Sequence, residues 1–164
     1  MLKGQAHKFG SDISTDLIAP GRYFHLRSNL PELAKHVLED ADPEFASIVK
    51  SGDFVVADSN FGLGSSREHA PIIIKMAGVA AVLAKSFARI FFRNAINVGL
   101  PVLICDTDQI GQGDELEVDL AAGIIKDKTN GIELTFSKIP EAMLKILDEG
   151  GLVPYIKKHG DFKL

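Results

Sequence analysis

Apolar residues come in short runs set between polar, glycine-marked breaks, and their spacing switches repeatedly between the periods of strand and helix. Lys3 to Phe9 predicts a first strand, left through the polar loop Gly10-Ser-Asp-Ile-Ser-Thr-Asp16, whose side chains favour bonding their own backbone. Between Pro31 and Val49, Leu33, His36, Val37 and Leu38 recur at helical spacing, and Phe45, Ile48 and Val49 follow Asp42-Pro43, which predicts two short helices. Phe54 to Ala57 is a compact apolar run of the buried-strand type. Helical patterns at Glu68 to Ala77 and Ala88 to Asn97 alternate with strand patterns at Val79 to Ala84 and Pro101 to Cys105. Such β-loop-α-β-α-β alternation predicts an α/β fold with a mainly parallel sheet flanked by helices, its sites gathering at the carboxyl ends of the strands. Asp114 to Leu120 and Gly131 to Phe136 read as a terminal hairpin, with Leu116, Val118 and Leu120 turned inward. Helices at Pro140 to Asp148 and Leu152 to His159, parted by Gly150-Gly151, close the chain.

At 164 residues without repeat or linker, the chain is expected to form a single domain, 1–164. A hydrophobic share of 46% against 24% charged residues is that of a globular protein and argues against disorder. The net charge of -4 offers no basic field for a phosphate backbone, so nucleic acid is not the expected partner. No apolar run approaches the roughly 18 residues of a membrane span, and the N-terminus has no apolar signal core, so a cytoplasmic location is expected. Cys105 stands alone and within an apolar run, which favours a buried packing residue and cannot by itself hold an iron-sulfur cluster or a structural zinc.

The chemistry concentrates in Asn60-Phe-Gly-Leu-Gly-Ser-Ser-Arg-Glu-His69, between a predicted strand and a predicted helix. Glycines let backbone amides converge there, and a helix N-terminus adds positive potential, so the loop reads as an anion site. A plainer reading makes Ser65 and Glu68 a capping box. Pro71 complicates it, because with Ser65 as cap the proline falls inside the helix and deprives the Arg67 carbonyl of its bond, which predicts a delayed or distorted start. Arg67 replaces the third glycine of a dinucleotide fingerprint and the P-loop lysine is missing, so the anion expected is a carboxylate, which a guanidinium grips with two parallel bonds.

Gly64-Ser-Ser-Arg-Glu-His-Ala70 resembles the signature of the swivelling domain of the aconitase superfamily, a β/β/α fold, in the form of the free-standing small subunit of a 3-isopropylmalate dehydratase-type enzyme. Two further segments carry the resemblance. Phe9 to Tyr23 is similar to the family's D-x-x-T-D-x-I-x-P-x-x-Y stretch, and Ser86 to Pro101 to its S-F-x-R-I-F-x-R-N-x-x-N-x-G-x-P stretch. The resemblance implies a hydro-lyase that dehydrates and rehydrates a hydroxy di- or tricarboxylic acid. It implies a 4Fe-4S cluster carried by a large partner subunit, with none bound by this chain, and an active site between the two subunits.

Carried over residue by residue, the resemblance makes Ser65 the base at carbon and Arg67 a carboxylate ligand, with Ser66 and Gly64 as further substrate contacts. Asp16 matches an aspartate that supports a catalytic histidine of the cluster-bearing partner; its alternative is a turn or cap residue. Arg27 lies where small subunits have a short specificity loop and is either a second carboxylate ligand or a solvated arginine. The leading substrate implied is 3-isopropylmalate in leucine biosynthesis; because Tyr23-Phe-His-Leu-Arg27 departs from the loop patterns of isopropylmalate enzymes and homoaconitases alike, substituted malates such as 2,3-dimethylmalate, or homoaconitate, are the alternatives. Arg89 and Arg93 read as structural or interfacial, Asn94 and Asn97 as packing residues, and His69 as a structural hydrogen-bonder. A rival of another class is a carboxylate-binding or scaffold module without turnover.

Overall fold

A computed structural model describes residues 1–64 and 67–160. Strand β1 (Leu2–Lys8) is followed by a short helix α1 (Thr15–Ile18), a 3-10 turn (Gly21–Leu26), α2 (Leu30–Ala34) and α3 (Phe45–Ile48). Next come β2 (Phe54–Val56), α4 (His69–Met76), β3 (Ala81–Ala84), α5 (Arg89–Asn97) and β4 (Val102–Ile104). Strands β5 (Glu115–Asp119), β6 (Ile124–Asp127) and β7 (Ile132–Thr135) lead to α6 (Glu141–Asp148) and α7 (Leu152–His159).

The seven strands run in the order β4-β3-β2-β1-β5-β6-β7. The first four pair in parallel, and β1 also takes β5 antiparallel, with Leu2 opposite Val118 and Gly4 opposite Leu116. The expected α/β architecture is present, but the sheet is mixed and its antiparallel part is a meander of three strands rather than a hairpin of two. Ile124 to Asp127 had too short and too mixed a pattern to announce a strand. It gains its ladder from β5 on one side and β7 on the other. Beyond β7 the Ser137 N–H donates to the Ile104 carbonyl at the end of β4 over 3.0 Å, so the sheet curls until its first and last strands nearly meet.

Burial follows the pairing. Every residue of β2 and β3 is buried, as both sheet faces are covered, whereas β5 alternates and buries Leu116 and Val118. The helices form a continuous row, α2 against α4, α4 against α5, and α5 against α6 and α7. Helix α4 begins at His69, the delayed start that Pro71 predicts: Pro71 has no N–H, and Ala70 bonds the Arg67 carbonyl at 3.2 Å instead. Cys105 is buried, and burial together with the Asp106 charge pushes its thiol up to about 12, so it is inert at neutral pH. No helix among the described residues is long and apolar enough to cross a membrane.

A carboxyl pair lies where β6 ends. Buried Asp127 accepts the N–H groups of Thr129 and Asn130 at 3.1 and 3.2 Å through Oδ1, while its Oδ2 finds no hydrogen-bond partner. Burial, and then neighbouring Asp114, raise the Asp127 pKa, whereas its link to Asp127 and the Gly111 N–H lower that of Asp114. The favourable contribution of protonated Asp127 is therefore complete below its unfolded value near ~3.9 and is lost as pH rises through the folded value. Asn at this position keeps the accepting oxygen and cannot ionise. Thermal melts of Asp127→Asn should show its stability relative to the parent rising from pH 4 to pH 7; a pH-independent difference would contradict the assignment.

Candidate functional site

Loops leaving the carboxyl ends of β1, β2 and β3 are bound into one body by backbone hydrogen bonds. Asp12 N–H donates to Ser59 O at 2.9 Å, Gly62 N–H to Ile13 O at 2.7 Å, and Thr15 N–H to Leu63 O at 2.9 Å. Across the other flank Phe61 N–H meets Ser86 O at 3.1 Å and Ala88 N–H meets Phe61 O at 2.9 Å. The Phe61 ring, fully buried, packs edge-on against Phe91 at 5.3 Å. Gly62 has φ +84, and a Cβ there would stand 2.2 Å from the Phe91 ring. Gly64, at φ +109, turns the chain past Thr15, whose Oγ1 would lie 3.3 Å from a Cβ. The glycines of this loop thus serve close approach and left-handed backbone together.

Arg67 emerges from this loop half-buried. Its Nη1 donates to the Ala19 carbonyl at 2.6 Å and to Asp16 Oδ1 at 3.1 Å. The same Asp16 oxygen accepts the Gly21 N–H at 3.1 Å, while the Asp16 side chain as a whole is 65% exposed. Two expected site residues, fifty-one positions apart, are therefore in direct contact. Arg27 ends the 3-10 turn; its Nη1 donates to Phe24 O at 3.2 Å and its guanidinium lies 4.3 Å from the centre of the Phe24 ring. That stacking follows from the turn itself, since side chains three apart eclipse in a 3-10 helix.

His69 completes the cluster. It is half-buried with its ring 6.4 Å from Phe24, and burial first, then the charges of Arg67 and Arg27, lower its pKa, with exposed Glu68 opposing them. The Arg67 and Arg27 charges that act on His69 are cationic groups a di- or tricarboxylate would meet, beside the exposed carboxylates of Asp16 and Glu68. The Ser65 and Ser66 assignments lie outside the described residues, as does half of the proposed capping box. His69 and Phe24 join the cluster, although the sequence reads His69 as a structural hydrogen-bonder and gives Phe24 no role. The signal available for both was proximity in sequence, His69 two residues after Arg67 and Phe24 three before Arg27.

Arg89 and Arg93 sit elsewhere, exposed beside an apolar groove of about 550 Å³ lined by Phe92, Ile96, Met143 and Ile146. Asn94 and Asn97 are half-buried on the same helix. His7 is buried against Asp53 at 2.8 Å, whose carboxylate also receives the Lys50 and Gln5 N–H groups. It belongs to the fold.

Residues 18–106 match the aconitase C-terminal domain. The chain is 70% identical over 99% of both sequences to 3-isopropylmalate dehydratase small subunit 2 of Archaeoglobus fulgidus. The chain belongs to the 3-isopropylmalate dehydratase small-subunit family. Small subunit 1 of Thermotoga maritima is 63% identical over 99% of this chain and 98% of its own. Among solved structures, the 3-isopropylmalate dehydratase from Methanocaldococcus jannaschii superposes with TM-score 0.93 and 48% identity, covering 97% of this chain and 95% of that one. The fold is thus shared with that relative nearly from end to end.

If both guanidinium groups face His69, removing either charge raises its pKa. Imidazole resonances followed by NMR against pH should move their midpoint upward in Arg67→Gln and in Arg27→Gln relative to the parent chain. An unmoved midpoint in Arg27→Gln would separate Arg27 from the site.

Proposed function

We propose that the chain, as one domain over 1–164, is the small subunit of a hydro-lyase that interconverts 3-isopropylmalate and 2-isopropylmalate in leucine biosynthesis. The observation that carries this reading is end-to-end identity at 70% and 63% with small subunits of that name, over a cluster of Arg67, Arg27 and His69 suited to a malate-like dianion. The chain's own residues do not fit an iron-sulfur cluster. It has one cysteine, buried and with its thiol pushed up to about 12, and no group of three or more metal-ligating side chains among the described residues. We therefore assign the 4Fe-4S cluster to a large partner subunit, where it would supply Lewis-acid chemistry at the substrate hydroxyl.

On this side of the interface Arg67 binds one substrate carboxylate with its planar fork, after exchanging the contact to Asp16 for the substrate. Arg27 takes a second carboxylate. Ser65 removes the proton from carbon, a task for which its alkoxide needs donors and cationic charge in a pocket poor in water. Backbone around Gly64 and Ser66 supplies donors. Asp16 would meet a group of the partner, a reading its large exposure supports, and an aspartate there would orient and charge a histidine. Phe24 gives the substrate's branched alkyl group an apolar surface beside the two arginines, a feature that favours 3-isopropylmalate over a tricarboxylate such as homoaconitate.

The test is reconstitution with the large subunit under anaerobic conditions and turnover of a panel of unsaturated and hydroxy acids. Ser65→Ala should lower kcat by about 10²-fold or more, as for loss of a general base. Arg67→Lys should raise KM, because an ammonium lacks the fork. Survival of turnover within about tenfold in Ser65→Ala would remove the serine from catalysis. Binding without turnover by the parent pair would instead favour the carboxylate-binding module.

A further inference from the structure

The 3-10 turn that carries Phe24 and Arg27 is held only in part by its own backbone bonds and by the core. Not one of its six residues is fully buried, only Tyr23 and Leu26 pack in part against the core, and 3-10 runs of that length are uncommon on their own. Besides the Gly21 N–H bond to Asp16, its polar anchors come from residues 36–40. Arg22 Nη1 donates to Asp40 Oδ2 at 2.8 Å, while its Nη2 reaches Glu39 Oε2 and Asp40 Oδ1, each at 2.7 Å. The Tyr23 ring stacks on His36 at 3.8 Å and 13°, with the Arg22 guanidinium 4.8 Å from the Tyr23 centroid. His36 Nδ1 in turn lies 3.2 Å from Glu39 Oε1.

The acidic side of this arrangement is itself an unusual piece of backbone. Leu38, fully buried, adopts φ +55, a conformation costly for a bulky side chain, and its N–H is tied to the Ile18 carbonyl at 3.0 Å. The left-handed residue brings the two carboxylates that follow it onto one guanidinium. Arg22 and Arg27, five positions apart, thus stand in opposite states. Arg22 is saturated by two carboxylates; among the described residues the Arg27 guanidinium meets the Phe24 carbonyl and ring and no carboxylate at all.

We propose that Arg22 and Tyr23 are positioning residues, clamping the turn onto Glu39, Asp40 and His36 so that Arg27 and Phe24 stand opposite Arg67 before substrate arrives. The proposal rests on the functional reading above for its kinetic consequence. Its geometric consequence stands independently. The clamp lies at the surface, where ion pairs add little to global stability, so its loss should show in recognition rather than in folding. An arginine displaced by an ångström or so weakens capture of the substrate while leaving the reacting groups in place.

Two readouts on Arg22→Gln test this. In the reconstituted pair, on whichever acid the parent turns over, KM should rise about tenfold with kcat within about threefold, and Arg22→Lys should fall between. In the full small-subunit chain, the NMR midpoint of His69 should move upward, in the same direction as in Arg27→Gln, with the thermal midpoint within a few degrees of the parent. The charged and titratable groups acting on His69 are Arg67, Arg27 and Glu68, and the substitution changes none of them directly. Should Arg22→Gln fold poorly, the double variant Glu39→Gln, Asp40→Asn opens the clamp from its other side and is read in the same way. A KM and a His69 midpoint both unchanged would overturn the proposal. A parent pair inert on every acid would overturn the functional reading, while the His69 titration would still decide the clamp.

Discussion

Four backbone hydrogen bonds between residues 10–15 and 58–63 place the glycine-rich loop, and most of what surrounds it depends on them. They link Gly10 to Asp58, Asp12 to Ser59, Ile13 to Gly62 and Leu63 to Thr15. Side chains contribute little to this seam beyond Asn60, whose Nδ2 reaches Asp12 Oδ1 at 3.2 Å. Backbone pairing of this kind fixes two loops as a sheet fixes two strands, without a ladder, and satisfies amides that would otherwise be lost to the interior. Arg67 then leaves a rigid base, and α1 leaves the same base in the other direction carrying Asp16.

A hierarchy of charges is built on that base. Asp16 and the Ala19 carbonyl hold Arg67, two carboxylates hold Arg22, and Arg27 is left to the face of an aromatic ring. An arginine over a ring keeps most of its charge available, whereas one between carboxylates has spent it. His69 registers the charge nearby, since burial first, and then the Arg67 and Arg27 charges, lower its pKa.

Most of the parallel half of the fold was legible because β2, β3 and β4 are short apolar runs set among helix-period segments; Phe54 to Val56 and Ala81 to Ala84 are examples. The delayed start of α4 was legible from Pro71 alone, a local rule with a local consequence. Strand β6 was not, because Ile-Ile-Lys-Asp over 124–127 is short and does not alternate, and its identity comes from neighbours on both sides. The site divides in the same way. Arg67 and Asp16 stood out through their motifs, yet their contact spans fifty-one positions and is invisible until the loops close. The partners of Arg22 at Glu39 and Asp40 depend on a left-handed leucine, a conformation that no leucine announces in sequence.

The curl that brings Ser137 to Ile104 bears on how the molecule meets others. A sheet ordinarily ends in two rims of unpaired peptide groups that can template a strand from another chain, and with it aggregation. Here one rim is the three-residue β4, whose last carbonyl is already taken, and the other is the four-residue β7, too short for a long ladder and marked by Glu133. Association by added strands is thereby disfavoured. Another protein engaging this one is directed instead to helices and loops, where side chains set the specificity and the main chain is committed.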